Sequence, residues 1–297
     1  MKSYPPPGAL VDVGGHRLHL YATGAGEPAV VFDAALGASC LSWSLVQPEI
    51  ARHTRAVSYD RAGLGWSDAS PSPRTAGRCA EELDALLDRA GIGDRIFVGH
   101  SFGALVVQLC AARNPSRTRG LVLLDPPVIA EWADPSPEKR KRLETGARLA
   151  RRGVVLARLG IARAIAGLAG AGATALARIG TAFLTEDALM REHGRILAPA
   201  LRLPKELRPI LPYFWTRPRF YESLASHIEW MPESARQVRA AVSTFGDLPL
   251  TVLSATNHDH AAALARLSSQ GRHVIVTGST HWIQLDRPDA VIAAIDL

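Results

Sequence analysis

Apolar and polar residues change their spacing in a regular way along the first 125 positions. Ala9–Val13 and His16–Tyr21 alternate in character and are joined by Gly14-Gly15, a pattern that predicts an antiparallel hairpin. A short apolar run, Ala29–Phe32, predicts a strand; a loop of small residues, Asp33–Ser39, separates it from a helix expected over Ser42–Arg52. The alternation continues with a strand at Ala56–Tyr59 and a helix at Thr75–Ala90, where Leu83, Leu86 and Leu87 recur at helical spacing. A strand at Arg95–Val98, a helix at Phe102–Arg113 and a strand at Gly120–Leu124 complete the run. Short apolar strands alternating with helices imply the α/β class, with a mostly parallel central sheet and helices on both faces.

This rhythm stops at Asp125-Pro126-Pro127 and resumes with a strand at Leu250–Leu253, a helix at His258–Leu267, a strand at His273–Thr277 and a helix at Asp289–Ile295. Residues 127–247 are rich in Ala, Leu and Arg, and prolines at 199, 204, 209, 212 and 218 divide them into short helices. The expected organisation is a discontinuous core, residues 1–126 and 248–297, carrying an inserted all-helical cap over 127–247. No internal repeat is visible.

Composition narrows the function classes. With 297 residues, 47% apolar and 21% charged, the chain suits one large core with an insertion and excludes a disordered or fibrous polymer. The net charge of +6 raises nucleic acid and membranes as partners. Residues 127–247 hold 19 Lys and Arg against 12 Asp and Glu, whereas the remainder holds 15 against 16, so the basicity belongs to the insertion. Within it, Lys139–Arg163 has nine basic residues and one acid, Glu144, without interleaved aromatics or a nucleic-acid module. A solvated arginine face is the preferred reading, and no nucleic-acid partner is expected. The uncharged run Ala164–Ala177 spans 14 residues, short of the ~20 a membrane-crossing helix requires. Packing onto the core is preferred to contact of this basic tract with a lipid surface. Cys40, Cys79 and Cys110 have neither disulfide-framework nor metal-ligand spacing, and residues 1–7 carry a lysine and three prolines instead of an apolar export segment. A cytoplasmic location with reduced thiols is expected.

The segment Ile96-Phe97-Val98-Gly99-His100-Ser101-Phe102-Gly103 sets G-x-S-x-G between an apolar strand and an apolar helix. At such an elbow the serine takes a strained backbone conformation, and glycines two positions on either side leave room where side chains would collide. Ser101 is the candidate nucleophile, and the N–H of the next residue, Phe102, is a candidate oxyanion donor at a helix N-terminus. A serine hydroxyl needs a base, and Gly278-Ser279-Thr280-His281-Trp282 supplies His281 just after the last predicted strand. His258 and His260 flank Asp259, but H-D-H without further ligands is weak evidence for a metal.

Together with the opening hairpin and Asp60-Arg61-Ala62-Gly63-Leu64-Gly65-Trp66-Ser67, these motifs resemble the α/β-hydrolase superfamily, in particular its cap-bearing branch of serine esterases. The resemblance implies a triad acid either at Asp125, which ends the strand before the insertion, or at Asp259, after the next strand; Asp125 is favoured. It implies a second oxyanion donor in the loop Asp33-Ala34-Ala35-Leu36-Gly37, at Ala35, although the family's His-Gly is missing there. Asp60 and Arg61 look like a pair holding their own loop. Haloalkane dehalogenases and epoxide hydrolases carry an aspartate at the elbow, and Ser101 argues against both. The implied activity is cofactor-free hydrolysis of a carboxylic ester, thioester or lactone with an apolar acyl group. The same triad in an amidase or aminopeptidase, a carbon–carbon bond hydrolase or a perhydrolase, and a non-catalytic ligand-binding protein on this fold, remain alternatives. Oligomeric state is left open.

Overall fold

The computed structural model describes residues 3–168, 202–257 and 259–295. Eight strands form one sheet in the order β1-β2-β4-β3-β5-β6-β7-β8. They are β1 (Ala9–Asp12), β2 (Arg17–Thr23), β3 (Ala29–Asp33), β4 (Ala56–Tyr59), β5 (Arg95–His100), β6 (Thr118–Leu124), β7 (Leu250–Ser254) and β8 (Gly271–Ile275). The hairpin strand β2 pairs antiparallel with β1 and β4, and the other pairings are parallel. Parallel strands covered on both faces are mostly apolar, and every residue of β3, β4, β5 and β7 is buried. The α/β class and mostly parallel sheet expected from the sequence are therefore present.

Helices cover both faces. On one side α2 (Ala76–Arg89) packs against α3 (Phe102–Arg113), and every residue of α3 from Phe102 to Ala111 is buried, which explains why that stretch is apolar except for Gln108. The opposite face holds Phe32, Trp43, Ile50, Val98, Leu124 and Val291 in a second core cluster. The helix expected over Ser42–Arg52 is broken. A 3-10 turn at Cys40–Trp43 precedes the one-turn helix α1 (Gln47–Ile50), because Pro48 has no N–H to extend a ladder and is accommodated only in a first turn. The last strand begins two residues before its expected start, at Gly271, where a side chain would collide with the Ala265 carbonyl.

Between β6 and β7 the described residues form α4 (Ile129–Ala133), α5 (Pro137–Arg158), α6 (Ile161–Leu168), α7 (Ile210–Trp215), α8 (Pro218–Glu229) and α9 (Met231–Ala241). Ser136 caps α5 by accepting from the Lys139 N–H at 3.2 Å, with Pro137 at its first position. The tract docks onto the start of α2 through polar side chains: Ser226, Ser234 and Gln237 accept from the backbone N–H groups of Arg74, Ala76 and Gly77 at 2.8–3.0 Å. These bonds satisfy donors that a helix start leaves free. Arg140, Lys141, Arg148 and Arg152 are exposed, as expected of a solvated basic face. The run Ala164–Ala177 lies mostly outside the described residues, and among those residues no helix is long and apolar enough to cross a membrane.

After β7, α10 (Asp259–Ala265) leads to β8, and α11 (Ile283–Asp286) and α12 (Pro288–Ala294) close the chain. β4 lies on one side of β3 and β5 on the other, so the chain reverses direction across the sheet at β3 and β5. Ligands of open α/β sheets bind beyond the strand ends at such a reversal.

Candidate active site

Neighbouring strands deliver the candidate residues to one edge. In the β3–β5 pairing Asp33 lies opposite Gly99, and in the β5–β6 pairing His100 lies opposite Leu124. The loop after β3, the elbow and the residue after β6 therefore emerge side by side. The Ser101 N–H donates to the Leu124 carbonyl at 2.9 Å, and the Asp125 N–H donates to the Leu253 carbonyl at 2.8 Å, which extends the pairing by one residue on each strand.

Ser101 has φ 52° and ψ −117°. Among the described residues it and Asp125, φ 43°, are the non-glycine residues with positive φ. Such strain persists only where surrounding structure enforces it, and here it falls on two residues of one proposed site. The elbow glycines are required by contact rather than by their own dihedrals. A Cβ on Gly99 would stand 2.7 Å from the Ala104 Cα, and one on Gly103 would stand 2.7 Å from the Ala34 carbonyl oxygen. Phe102 is the first residue of α3, so its N–H has no acceptor within the helix.

His281 lies in the loop between β8 and α11, and its Nδ1 is 2.5 Å from Asp125 Oδ2. The side chains are 19% and 20% exposed, open enough to receive a substrate yet shielded enough to strengthen their interaction. Asp259, the alternative acid, is exposed at the start of α10. The next residue, His260, contacts the Pro126 carbonyl through Nε2 at 3.2 Å, and His258 lies outside the described residues.

The His281 loop is fixed from two sides. Asp286 accepts from the Thr280 hydroxyl at 2.5 Å and from the Thr280 N–H at 2.8 Å, and also binds Arg202 at 2.7 Å. On the other side His100, the variable residue of the elbow motif, places Nε2 at 2.7 Å from the His281 carbonyl, to which it donates; its Nδ1 accepts from Gln284 Nε2 at 2.9 Å. This pair of contacts sets the tautomer. Burial, and then the nearness of a second titratable imidazole, His281, hold His100 well below the ordinary imidazole pKa, so it serves as a neutral strut. No local pattern in the sequence marks His100 and Gln284, which are joined across 184 positions.

Arg61 does not pair with Asp60 as expected. The Asp60 carboxylate is occupied by His19 Nδ1 at 2.9 Å and by the N–H groups of Cys40 at 2.8 Å and Trp66 at 3.0 Å. Arg61 reaches Asp33, whose other oxygen accepts from the Tyr59 hydroxyl at 2.8 Å. The physical reason is competing need: Asp60 already accepts from three donors, whereas Asp33 is a carboxylate at the end of a fully buried strand and requires a cation. An aspartate closing an apolar run was the available sequence signal.

His19, Cys40 and Asp60 also form a group with metal-ligand chemistry. Their polar atoms bond one another and the backbone: His19 Nδ1 faces Asp60, and Nε2 donates to the Pro7 carbonyl. The group is a structural knot. All three cysteines are buried and free.

Ala35, Leu36, Ser101, Phe102, Asp125 and His281 line one cleft of about 580 Å³, within the size range of small-molecule sites. Trp132, Leu143, Ile228 and Met231 of the helical tract supply apolar wall, and Glu131, Lys139 and Arg142 supply charge. Lys139 bonds Glu131 at 2.7 Å and lies over the Trp132 ring at 4.4 Å.

Comparison with known proteins agrees with this architecture. YqjL of Bacillus subtilis, an uncharacterized protein, is 38% identical over 98 residues, covering 33% of this chain and 39% of its own length. The chain thus spans about two fifths of that relative. A haloalkane dehalogenase of Sphingobium indicum is 24% identical over 96% of this chain and 93% of its own. The solved structure of a thermophilic esterase from Thermogutta terrifontis superimposes with a TM-score of 0.63 at 22% identity, over 94% of this chain and 92% of that one. The alpha/beta hydrolase family model matches residues 30–294, from β3 through the last helix, and the chain belongs to that family.

Proposed function

We propose that the protein is a serine hydrolase that cleaves a carboxylic ester, thioester or lactone through an acyl-enzyme on Ser101, without a cofactor. The observation that carries this reading is the 2.5 Å contact of Asp125 with His281 Nδ1 in the cleft that also contains the strained Ser101. In the reaction, Ser101 Oγ attacks the carbonyl carbon while His281 Nε2 takes its proton. Asp125 holds the imidazole in the required tautomer and stabilises the imidazolium. The carbonyl oxygen, now negative, is met by the Phe102 N–H and by the loop at Ala35. Collapse of the intermediate releases the alcohol or thiol, protonated by His281. Water, deprotonated by the same imidazole, then attacks the acyl carbon and frees the acid and Ser101. Residues 127–247 act as the cap, and their apolar wall in the cleft favours an apolar acyl group. Haloalkane dehalogenase chemistry needs a carboxylate nucleophile, and Ser101 stands at that position.

A panel of p-nitrophenyl esters of increasing acyl length tests the proposal. Each methylene that enters an apolar pocket contributes about 0.8 kcal/mol, roughly fourfold in kcat/KM, until the pocket is filled. Turnover should climb in this way and then level off, and Ser101→Ala should remove nearly all of it. Wild-type hydrolysis at the buffer rate for every ester, or a Ser101→Ala variant within tenfold of wild type, would refute the assignment.

A further inference from the structure

We infer that Arg61 is a positioning residue that holds the loop after β3 in the conformation needed to receive an oxyanion. The inference rests on the hydrolase reading above and adds a function for a charged group that takes no part in proton transfer.

Arg61 is 3% exposed and its partner Asp33 is 1% exposed. Burying such a pair is costly, and two apolar side chains of similar volume would stabilise a core at least as well. The bonds the guanidinium makes beyond Asp33 suggest why a charge is used. Nη1 also donates to the Ala34 carbonyl at 2.7 Å, and Nη2 donates to the Ala35 carbonyl at 2.6 Å. A trans peptide points its C=O and N–H in opposite directions. Fixing the Ala34 and Ala35 carbonyls on Arg61 therefore turns the N–H groups of Ala35 and Leu36 to the other side of the loop. Ala35 and Leu36 both line the cleft with Ser101. The sequence pointed to Ala35 alone; the same geometry adds the Leu36 N–H as a donor.

Arg61 also touches the other half of the oxyanion site. Its guanidinium carbon lies 5.1 Å from the centre of the Phe102 ring, and Gly103 brings the start of α3 against the Asp33 and Ala34 carbonyls. One planar cation thus references both sets of donors to a common frame. Two consecutive alanines have no intrinsic preference for this turn, so the loop depends on the arginine where the family pattern has His-Gly. Lysine could keep the charge but could not span both carbonyls and the carboxylate.

Kinetics of Arg61→Lys, Arg61→Met, Tyr59→Phe and the double apolar variant Asp33→Leu/Arg61→Met test the inference. For each, kcat and KM for one p-nitrophenyl ester are measured with the inhibition constant of an alkyl boronic acid, which forms a tetrahedral adduct on the nucleophile. Arg61→Lys and Arg61→Met should lower kcat by about 30-fold or more with KM within about threefold, and the boronate should weaken in parallel. Tyr59→Phe, which loosens Asp33 alone, should lower kcat by only a few-fold. The double apolar variant should melt nearer to wild type than Arg61→Met does, yet keep the low kcat. A folded double variant or Arg61→Lys with kcat within threefold of wild type would overturn the inference, and should Arg61→Met fail to fold, Arg61→Lys decides alone. A fluorophosphonate that labels Ser101 in wild type but not in Ser101→Ala separates the two claims. Without labelling the hydrolase reading fails, whereas labelling with an unchanged kcat in Arg61→Lys removes the positioning role only.

Discussion

At the scale of single residues, the choice between two carboxylates is the sharpest consequence of the geometry. Asp125→Asn should leave the melting temperature nearly unchanged while lowering ester turnover by up to ~10⁴, because an amide can stabilise the unproductive imidazole tautomer. Asp259→Asn, at an exposed position on α10, should stay within a few-fold of wild type. Steady-state rates of the two variants decide it, and a mild Asp125→Asn would contradict the proposed acid. Ser101 and His281 were legible in the sequence because their signals are local: a motif of five consecutive residues, and a histidine following a strand. Asp125 was legible only through its place in chain order. Arg61 was misassigned to its neighbour Asp60 because its true partner, Asp33, lies 28 positions away on another strand, and no local pattern encodes that pairing.

At the scale of elements, the strand β5, the elbow and helix α3 form one rigid unit whose close contacts leave no room for substitution. Gly103→Ala would press a methyl group into the Asp33 and Ala34 carbonyls. It should lower stability by roughly 1–3 kcal/mol, as overpacking in cores does, and should lower kcat as well because the displaced loop carries the proposed oxyanion donors. Urea unfolding and ester kinetics on one preparation measure both, and an unchanged kcat would show that the loop and the elbow are not coupled. The sequence located β5 and α3 to within two residues because a buried strand and a mostly apolar helix leave strong patterns. It failed at Ser42–Arg52, where Pro48 splits the helix, and it missed α11, a single turn anchored by Asp286 through contacts to Thr280 and Arg202.

At the scale of the whole molecule, the segment before the sheet is tied down by a buried imidazolium. His19 Nε2 donates to the Pro7 carbonyl and Nδ1 faces the Asp60 carboxylate, so both nitrogens carry protons. Burial alone would lower the His19 pKa, but the hydrogen bond to Asp60, its charge and the Pro7 carbonyl outweigh burial and raise it above the ordinary 6.5. A raised folded-state pKa contributes stability that is complete below the unfolded value and is lost as pH rises through the folded value. The stability gap between wild type and His19→Gln should therefore be largest below pH ~6.5 and narrow toward pH 9, by about 1.4 kcal/mol per unit of elevation. Urea midpoints across that range test it, and a gap that widens with pH would contradict the charged assignment. The central claim, acyl transfer through Ser101, is tested most directly by the mass of the intact chain. After rapid acid quenching of wild type mixed with a p-nitrophenyl ester, the mass should increase by one acyl group, mapped to the peptide containing Ser101 and absent in Ser101→Ala. Ester hydrolysis with the acyl group on another residue, or at a wild-type rate in Ser101→Ala, would contradict the account.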